Sequence, residues 1–170
     1  SGLLFNHESP LRGNEFVTRK VTDSVVRICL GLQDQLVLGN LDAKRDWGYA
    51  AEYVECLWKM LQANEPDTFV LATGRTTSVR ELVQLSFQTL GIQVSFEGQG
   101  DQEIGFDEKD GRQIVSVSRE FYRPTEVDLL IGDPARAKKI LNWQAATSLE
   151  SLCEMMVKTD LGRYPPPGTI

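Results

Sequence analysis

The sequence predicts an α/β fold, and three observations predict it. The run "TFVLATG", Thr68 to Gly74, is almost continuously apolar and β-branched, as a strand buried on both faces is. After Phe16 the apolar positions Val21, Val25, Ile28, Cys29 and Leu32 recur at helical spacing. Two helix-start signatures, Ser78-x-x-Glu81 and Thr147-x-x-Glu150, each introduce a further amphipathic run.

Taken in order, residues 2–6 form a short apolar strand, and "SPLRGN" is a loop broken by Pro10 and Gly13. The first helix follows and ends near Gly31; "QLVLGN" is a strand that stops at Gly39-Asn40. After the loop "LDAKRDW", Tyr53, Val54, Leu57, Trp58 and Leu61 predict one helical face, and "NEPD" breaks that helix. The buried strand 68–74 comes next. Ser78 opens a helix that turns Val79, Leu82, Val83, Phe87 and Leu90 inward and stops at Gly91. "VSFEG" is a strand. Residues 97–112 hold six acidic residues, two basic ones and four glycines, so a mobile surface loop is expected there. "QIVSVS" alternates as a half-exposed strand does. Asp133 caps a short helix with Pro134 at its first position. Thr147 opens a last helix carrying Leu149, Leu152, Cys153 and Met156 to about Gly162, and a loose tail, 162–170, closes the chain. The strands near 36–38, 94–96 and 113–118 are expected to form a small accessory sheet. There is no internal repeat.

At 170 residues, 41% hydrophobic and 25% charged, the chain has the length and composition of one ordinary globular domain. No run approaches the roughly 18 apolar residues of a membrane helix, and no secretion signal is present, so a cytoplasmic protein is expected. The opening "SGLLFN" reads as a strand entered midway, so the chain is expected to be the later part of a longer protein. The odd, widely spaced Cys29, Cys56 and Cys153 read as buried reduced thiols, and one histidine argues against zinc. A net charge of −6 disfavours nucleic acid; small basic islands in that background suit a compact diphosphate.

Four clusters could carry that ligand, each with a plainer alternative. Asn6-His7-Glu8-Ser9-Pro10 with Arg12 lies just past a strand end, where open α/β sheets place their crevice; the alternative is a capped loop with a solvated arginine. Arg19 and Lys20 sit in the first turn of a helix, where a bound anion would offset their clash with the helix dipole; otherwise they are surface basics. Arg45 in "KRDW" could grip a diphosphate bidentately, or merely pair with Asp46. In "FYRPTEVD", Arg123 and Glu126 could clamp phosphate and ribose, or form a salt bridge at a helix start. No glycine-rich G-x-G-x-x-G loop and no Tyr-x-x-x-Lys pair occurs. The residues alone therefore imply binding of a small phosphorylated ligand without catalysis.

"LLFNHESPLRGNEFVTRKV", "GNLDAKRDWGYAAEYVE", "VLATG", "SVRELV" and "FYRPTEVDLLIGDPARAKKIL" together resemble the C-terminal half of the GDP-mannose 4,6-dehydratase family, extended short-chain dehydrogenase/reductases acting on nucleotide sugars. The resemblance covers residues 2 to about 161. It implies the last elements of a Rossmann sheet (1–13 and 41–74) plus a small mixed α/β substrate-binding domain (14–40 and 75–161). The implied reaction converts GDP-mannose to GDP-4-keto-6-deoxymannose plus water on bound NADP, with the C4 hydride returned at C6. The family's catalytic and cofactor-loop residues lie upstream of "FNHESP", so no catalytic residue is expected here and the chain alone should not turn over. By motif, His7 and Arg12 are similar to NADP contacts and Asn6 to a substrate contact. Val17 and Lys20 match the guanine site, Arg45 and Arg123 the diphosphate-gripping arginines, Glu126 the ribose carboxylate and Gly39 the pocket wall. Implied partners are GDP-mannose or a related GDP-sugar, an N-terminal catalytic half and further copies in a homo-oligomer. The alternatives are another nucleotide-sugar epimerase or dehydratase, or a non-catalytic nucleotide-sugar-binding or assembly module.

Overall fold

The computed structural model describes residues 1–121 and 130–165. Strand β1 (Gly2–Leu4) is followed directly by β2 (Asn6–Glu8), and helix α1 (Val17–Cys29) leads to β3 (Leu36–Leu38). The two-residue β4 (Lys44–Arg45) precedes β5 (Trp47–Tyr49), helix α2 (Ala50–Leu61) and β6 (Phe69–Leu71). Then come β7 (Thr77–Ser78), helix α3 (Val79–Gln88), β8 (Val94–Glu97), β9 (Ile104–Asp107) and β10 (Gln113–Val117). Helices α4 (Ala135–Leu141) and α5 (Leu149–Leu161) complete the described chain.

β1 runs parallel to β6 with Leu3 opposite Val70, and β2 runs parallel to β5 with His7 opposite Gly48. β4 pairs antiparallel with β7, setting Arg45 opposite Thr77. The expected accessory sheet is present as four strands ordered β3-β10-β9-β8, with β10 parallel to β3 and antiparallel to β9. One apolar cluster joins α1, α3, α5 and this sheet through Val25, Leu36, Leu82, Phe87, Ile114 and Cys153. A second, around Tyr53, Cys56, Phe69, Leu71 and Trp143, seals α2 and α4 against β6.

The structure corrects several expectations. Residues 97–112 are not a loop throughout: β9 lies inside them, joined to β10 by a turn in which Gly111 takes φ +70°. One of their acids, Glu103, is neutralised by a residue distant in sequence. Arg80 of α3 forms an ion pair with the buried Glu103, and its Nη2 donates to Asp42 at 2.7 Å. On α2 the inward stripe is Tyr53, Cys56, Leu57 and Met60, while Val54, Trp58 and Leu61 are 64%, 61% and 82% exposed. That helix is apolar on more than one side, so periodicity alone cannot choose the buried face. Cys29, in the last turn of α1, is exposed, and so is Leu32 beyond it. The cap of α5 is Ser148, whose hydroxyl accepts from the Ser151 N–H. Thr147 instead donates its N–H and hydroxyl to Glu52 at 2.9 and 2.8 Å, fastening α5 to the start of α2. Pro134 stands at the cap position of α4, with the Asp133 carboxylate accepting from the Ala135 N–H. The start of the tail is held as well: Arg163 donates to the Pro10 carbonyl and the Tyr164 hydroxyl to Asp23. The capping box of Ser78 and Glu81 is present as expected.

Candidate nucleotide-binding site

Helix α1 begins without a side-chain cap. Phe16 holds an extended backbone (φ −93°, ψ 141°), and among the described residues no side chain caps the leading N–H groups and no acidic residue stands in the first turn. Beside this helix start opens a cavity of about 290 Å³. Four of the expected site residues line it: Val17 and Lys20 from α1, Gly39 from the end of β3, and Arg45 from β4. Glu15, Asn40 and Phe121 add to its wall. A larger cleft of about 790 Å³, between the end of α2 and α4, holds none of the expected site residues.

Each wall residue has a local reason to be there. Gly39 faces the Phe121 backbone so closely that a Cβ would collide with the Phe121 carbonyl oxygen. The Lys20 ammonium lies 4.2 Å from the centre of the Phe121 ring, a cation–π contact. Burial lowers the Lys20 pKa, so its charge is held in a site that disfavours it until an anion or acceptor arrives. Arg45 donates from Nη1 to the Lys44 carbonyl at 2.8 Å. It does not pair with Asp46. That carboxylate is fully buried and accepts from the Thr73 N–H (2.9 Å), the Thr73 hydroxyl (2.7 Å) and the Gly74 N–H (3.0 Å). The local Arg–Asp pair considered from sequence is therefore absent.

The neighbouring basic residues divide differently. Arg19 is neither a surface residue nor a ligand to the cavity. It is buried, 2.7 Å from Asp160, and donates to the Pro10 carbonyl at 3.3 Å. Asp160 also accepts from Thr22 (2.7 Å) and Arg163 (2.6 Å). Arg12 lies over the Phe16 ring at 3.5 Å, with Nε 3.2 Å from Glu8. Glu8 is buried and accepts from the Thr18 hydroxyl at 2.5 Å. His7 stacks on Tyr53 at 5.4 Å and donates from Nδ1 to the Phe5 carbonyl at 2.9 Å, a bond that requires the proton on Nδ1. Asn6 pairs through β2 with Trp47. Asn6, His7 and Arg12 thus lie outside the 290 Å³ cavity. Arg123 and Glu126 lie outside the described residues.

Comparison with known proteins decides the family. The family model described as GDP-mannose 4,6 dehydratase matches residues 1–156. The chain belongs to this family. GDP-mannose 4,6-dehydratases of Dictyostelium discoideum and Homo sapiens are 51% and 50% identical over 161 residues, 95% of this chain and 45% and 43% of those proteins. That of Sinorhizobium fredii is 50% identical over the same share of the chain and 46% of its own. The chain thus spans under half the length of these relatives. Among solved structures, RMD of Pseudomonas aeruginosa, complexed with NADPH, is similar with a TM-score of 0.77 at 18% identity, over 96% of this chain and 48% of that one. UDP-glucose 4-epimerase of Thermotoga maritima, solved with UDP-glucose, gives 0.67 at 20% identity, over 93% and 44%. The fold shared with them is the C-terminal part of an extended short-chain dehydrogenase/reductase, a mixed α/β arrangement with parallel strand pairs such as β1 and β6.

Sequence reasoning missed Glu15, Asn40 and Phe121 on the cavity wall and the buried Arg19–Asp160–Arg163 group behind it. Asn40 was within reach, since it follows Gly39 at the strand stop. Nothing in the sequence marks Phe121 or Asp160 as neighbours of α1. Chemically, the site offers an ammonium, a guanidinium, a carboxylate and an aromatic face beside an uncapped helix start. That set suits a nucleotide: an anion for the cations, and a flat, polar-edged base for the rest.

Proposed function

We propose that this chain is the nucleotide-sugar-binding part of a GDP-mannose 4,6-dehydratase, which converts GDP-mannose to GDP-4-keto-6-deoxymannose and water with NADP. The observation that carries the reading is the convergence of Val17, Lys20, Gly39 and Arg45, from three separate elements, on one cavity in a chain of that family. Lys20 and Val17 take the guanine, and Arg45 with Arg123 takes the diphosphate, whose oxygens match a guanidinium fork. Glu126 holds the ribose hydroxyls and Asn6 the sugar end.

Two buried or half-buried donors fit the cofactor side. Arg12 Nε is buried with no aligned acceptor, and His7 makes no hydrogen bond through Nε2 among the described residues. Both can donate to a phosphate or an amide; His7 Nε2 does so when the ring is doubly protonated. NADP, when bound, accepts and returns the hydride. The solved relatives support a nicotinamide cofactor and a nucleotide-sugar ligand through the NADPH and UDP-glucose they carry. On this reading 1–13 and 41–74 complete the Rossmann part and 14–40 with 75–161 the substrate domain. The catalytic residues belong to an N-terminal half, and the whole enzyme works as a cytoplasmic homo-oligomer. No helix among the described residues is long and apolar enough to cross a membrane.

Titration calorimetry with GDP and UDP, and a product assay on the chain mixed with the N-terminal half of a relative, test the reading. The expected result is weak but GDP-selective binding by the chain, no turnover alone, and 4-keto product from the mixture. Tighter binding of UDP would move the chain to another nucleotide-sugar enzyme. GDP binding without product from a fully assembled mixture would make it a binding or assembly module.

A further inference from the structure

We infer that Glu15 reads the 2-amino edge of guanine and so sets which nucleobase this site accepts, an inference that rests on the nucleotide reading above. Glu15 lines the same cavity as Lys20 and Arg45 and is the only carboxylate among the described residues that line it. It makes no hydrogen bond or ion pair among the described residues, although Lys20 shares its cavity. Its carboxylate rests against Gly13, in the space that a Cβ there would take.

An exposed carboxylate and a partly desolvated ammonium line one small cavity, and together they match a ligand whose edge offers both donors and an acceptor. Guanine offers that order: O6 accepts, while N1–H and the 2-amino group beside it donate in parallel. A carboxylate with two acceptor oxygens meets those two donors as a bidentate pair, and Lys20 meets O6. Uracil presents one N–H between two carbonyls, so half of the carboxylate is left unmatched. Adenine places a donor where guanine has O6, against the ammonium. The Phe121 ring, 49% exposed and already carrying Lys20 over its face, gives the base an aromatic surface. The two cations and the carboxylate thus have separate tasks, and Glu15 is no burden on diphosphate binding when it faces the base.

Hypoxanthine isolates the inference, because IDP keeps O6 and N1–H and lacks only the 2-amino group. Calorimetric titrations of the 170-residue chain with GDP and with IDP, in wild type and in Glu15→Ala and Glu15→Gln, test it. Glu15 is exposed and makes no structural bond, so neither variant threatens the fold. Wild type is expected to bind GDP about tenfold or more tightly than IDP, the loss that follows removal of one charge-assisted hydrogen bond. In Glu15→Ala the GDP affinity falls by at least that factor and the GDP/IDP ratio collapses towards one. Glu15→Gln, with one acceptor oxygen in place of two, lies between. GDP binding with equal affinity for IDP, or a ratio that Glu15→Ala leaves intact, would overturn the role of Glu15 and leave the nucleotide site standing. Failure of the wild-type chain to bind either nucleotide would overturn both.

Discussion

Replacing Asp46 with alanine separates two neighbouring residues that the sequence presents as a pair. The buried Asp46 carboxylate takes three hydrogen bonds, from the Thr73 N–H, the Thr73 hydroxyl and the Gly74 N–H, all within 3.0 Å. After Asp46→Ala the hydroxyl still has the Arg75 carbonyl at 3.2 Å, but the two backbone N–H groups lose their acceptor. The two N–H groups are part-buried, and each loses a hydrogen bond to a charged group, worth about 1.5–3 kcal/mol, while relief of burying the charge returns part of that. The expected loss is about 3 kcal/mol, with an unchanged dependence on denaturant, in urea unfolding followed by tryptophan fluorescence. Arg45→Ala should act on the other axis, weakening GDP binding by about 1.5–3 kcal/mol, the worth of a hydrogen bond to a charged group. An exposed Arg45–Asp46 pair would instead give two similar losses, each under about 1 kcal/mol. A loss below about 1 kcal/mol for Asp46→Ala would therefore refute the assignment of Asp46 to the 73–74 turn.

The thiols and the cavity lysine give two further tests. Cys29 is exposed, whereas burial raises the Cys56 and Cys153 thiols to about 11 and about 12. One thiol should react rapidly with a disulfide reagent in the folded chain and three in urea; equal rates for all three would contradict the packing. The Lys20 pKa is lowered by burial, so in the alkaline range below the ordinary lysine value the unfolded chain binds more protons than the folded one. Stability should rise with pH through that window while GDP affinity falls as the ammonium is lost; Lys20→Met should flatten both slopes, and an unchanged affinity slope would exclude Lys20 as a ligand.

What the sequence made legible was local. The capping box at Ser78, the strand runs and the helical spacing of α1 need only neighbours a few positions away, and these elements stand where they were expected. The site was partly legible for the same reason: Val17 and Lys20 lie one helical turn apart, and Gly39 ends a strand. The misses are long-range. Glu103 reads as a solvated acid until Arg80 packs on it, and Thr147 reads as a cap until Glu52 captures it from 95 positions away. The stripe Val54, Trp58 and Leu61 shows the limit most clearly, because an apolar helix face carries no mark of which surface meets it.

The positive charge gathered before residue 21 of an acidic chain follows from the same distinction. Arg12, Arg19 and Lys20 look equivalent in sequence, yet burial sorts them into three settings. Arg12 lies beside Glu8 and over Phe16, with its Nε left without an aligned acceptor. Arg19 is spent on Asp160, so its partner lies at the far end of the last helix. Arg19 and Arg163 both reach the Pro10 carbonyl from that one carboxylate, so the loop before α1 is fixed from the start of α1 and from the end of α5 together. Arg19 and Arg163, neutralised by Asp160 in this way, tie the loop down. Lys20, left with an aromatic ring and no carboxylate partner among the described residues, is the cation of the three that lines the cavity and stays available to a ligand. Arg19 and Lys20, neighbours in sequence, thus divide the work: the first ties the start of α1 to the end of α5, and the second faces the cavity.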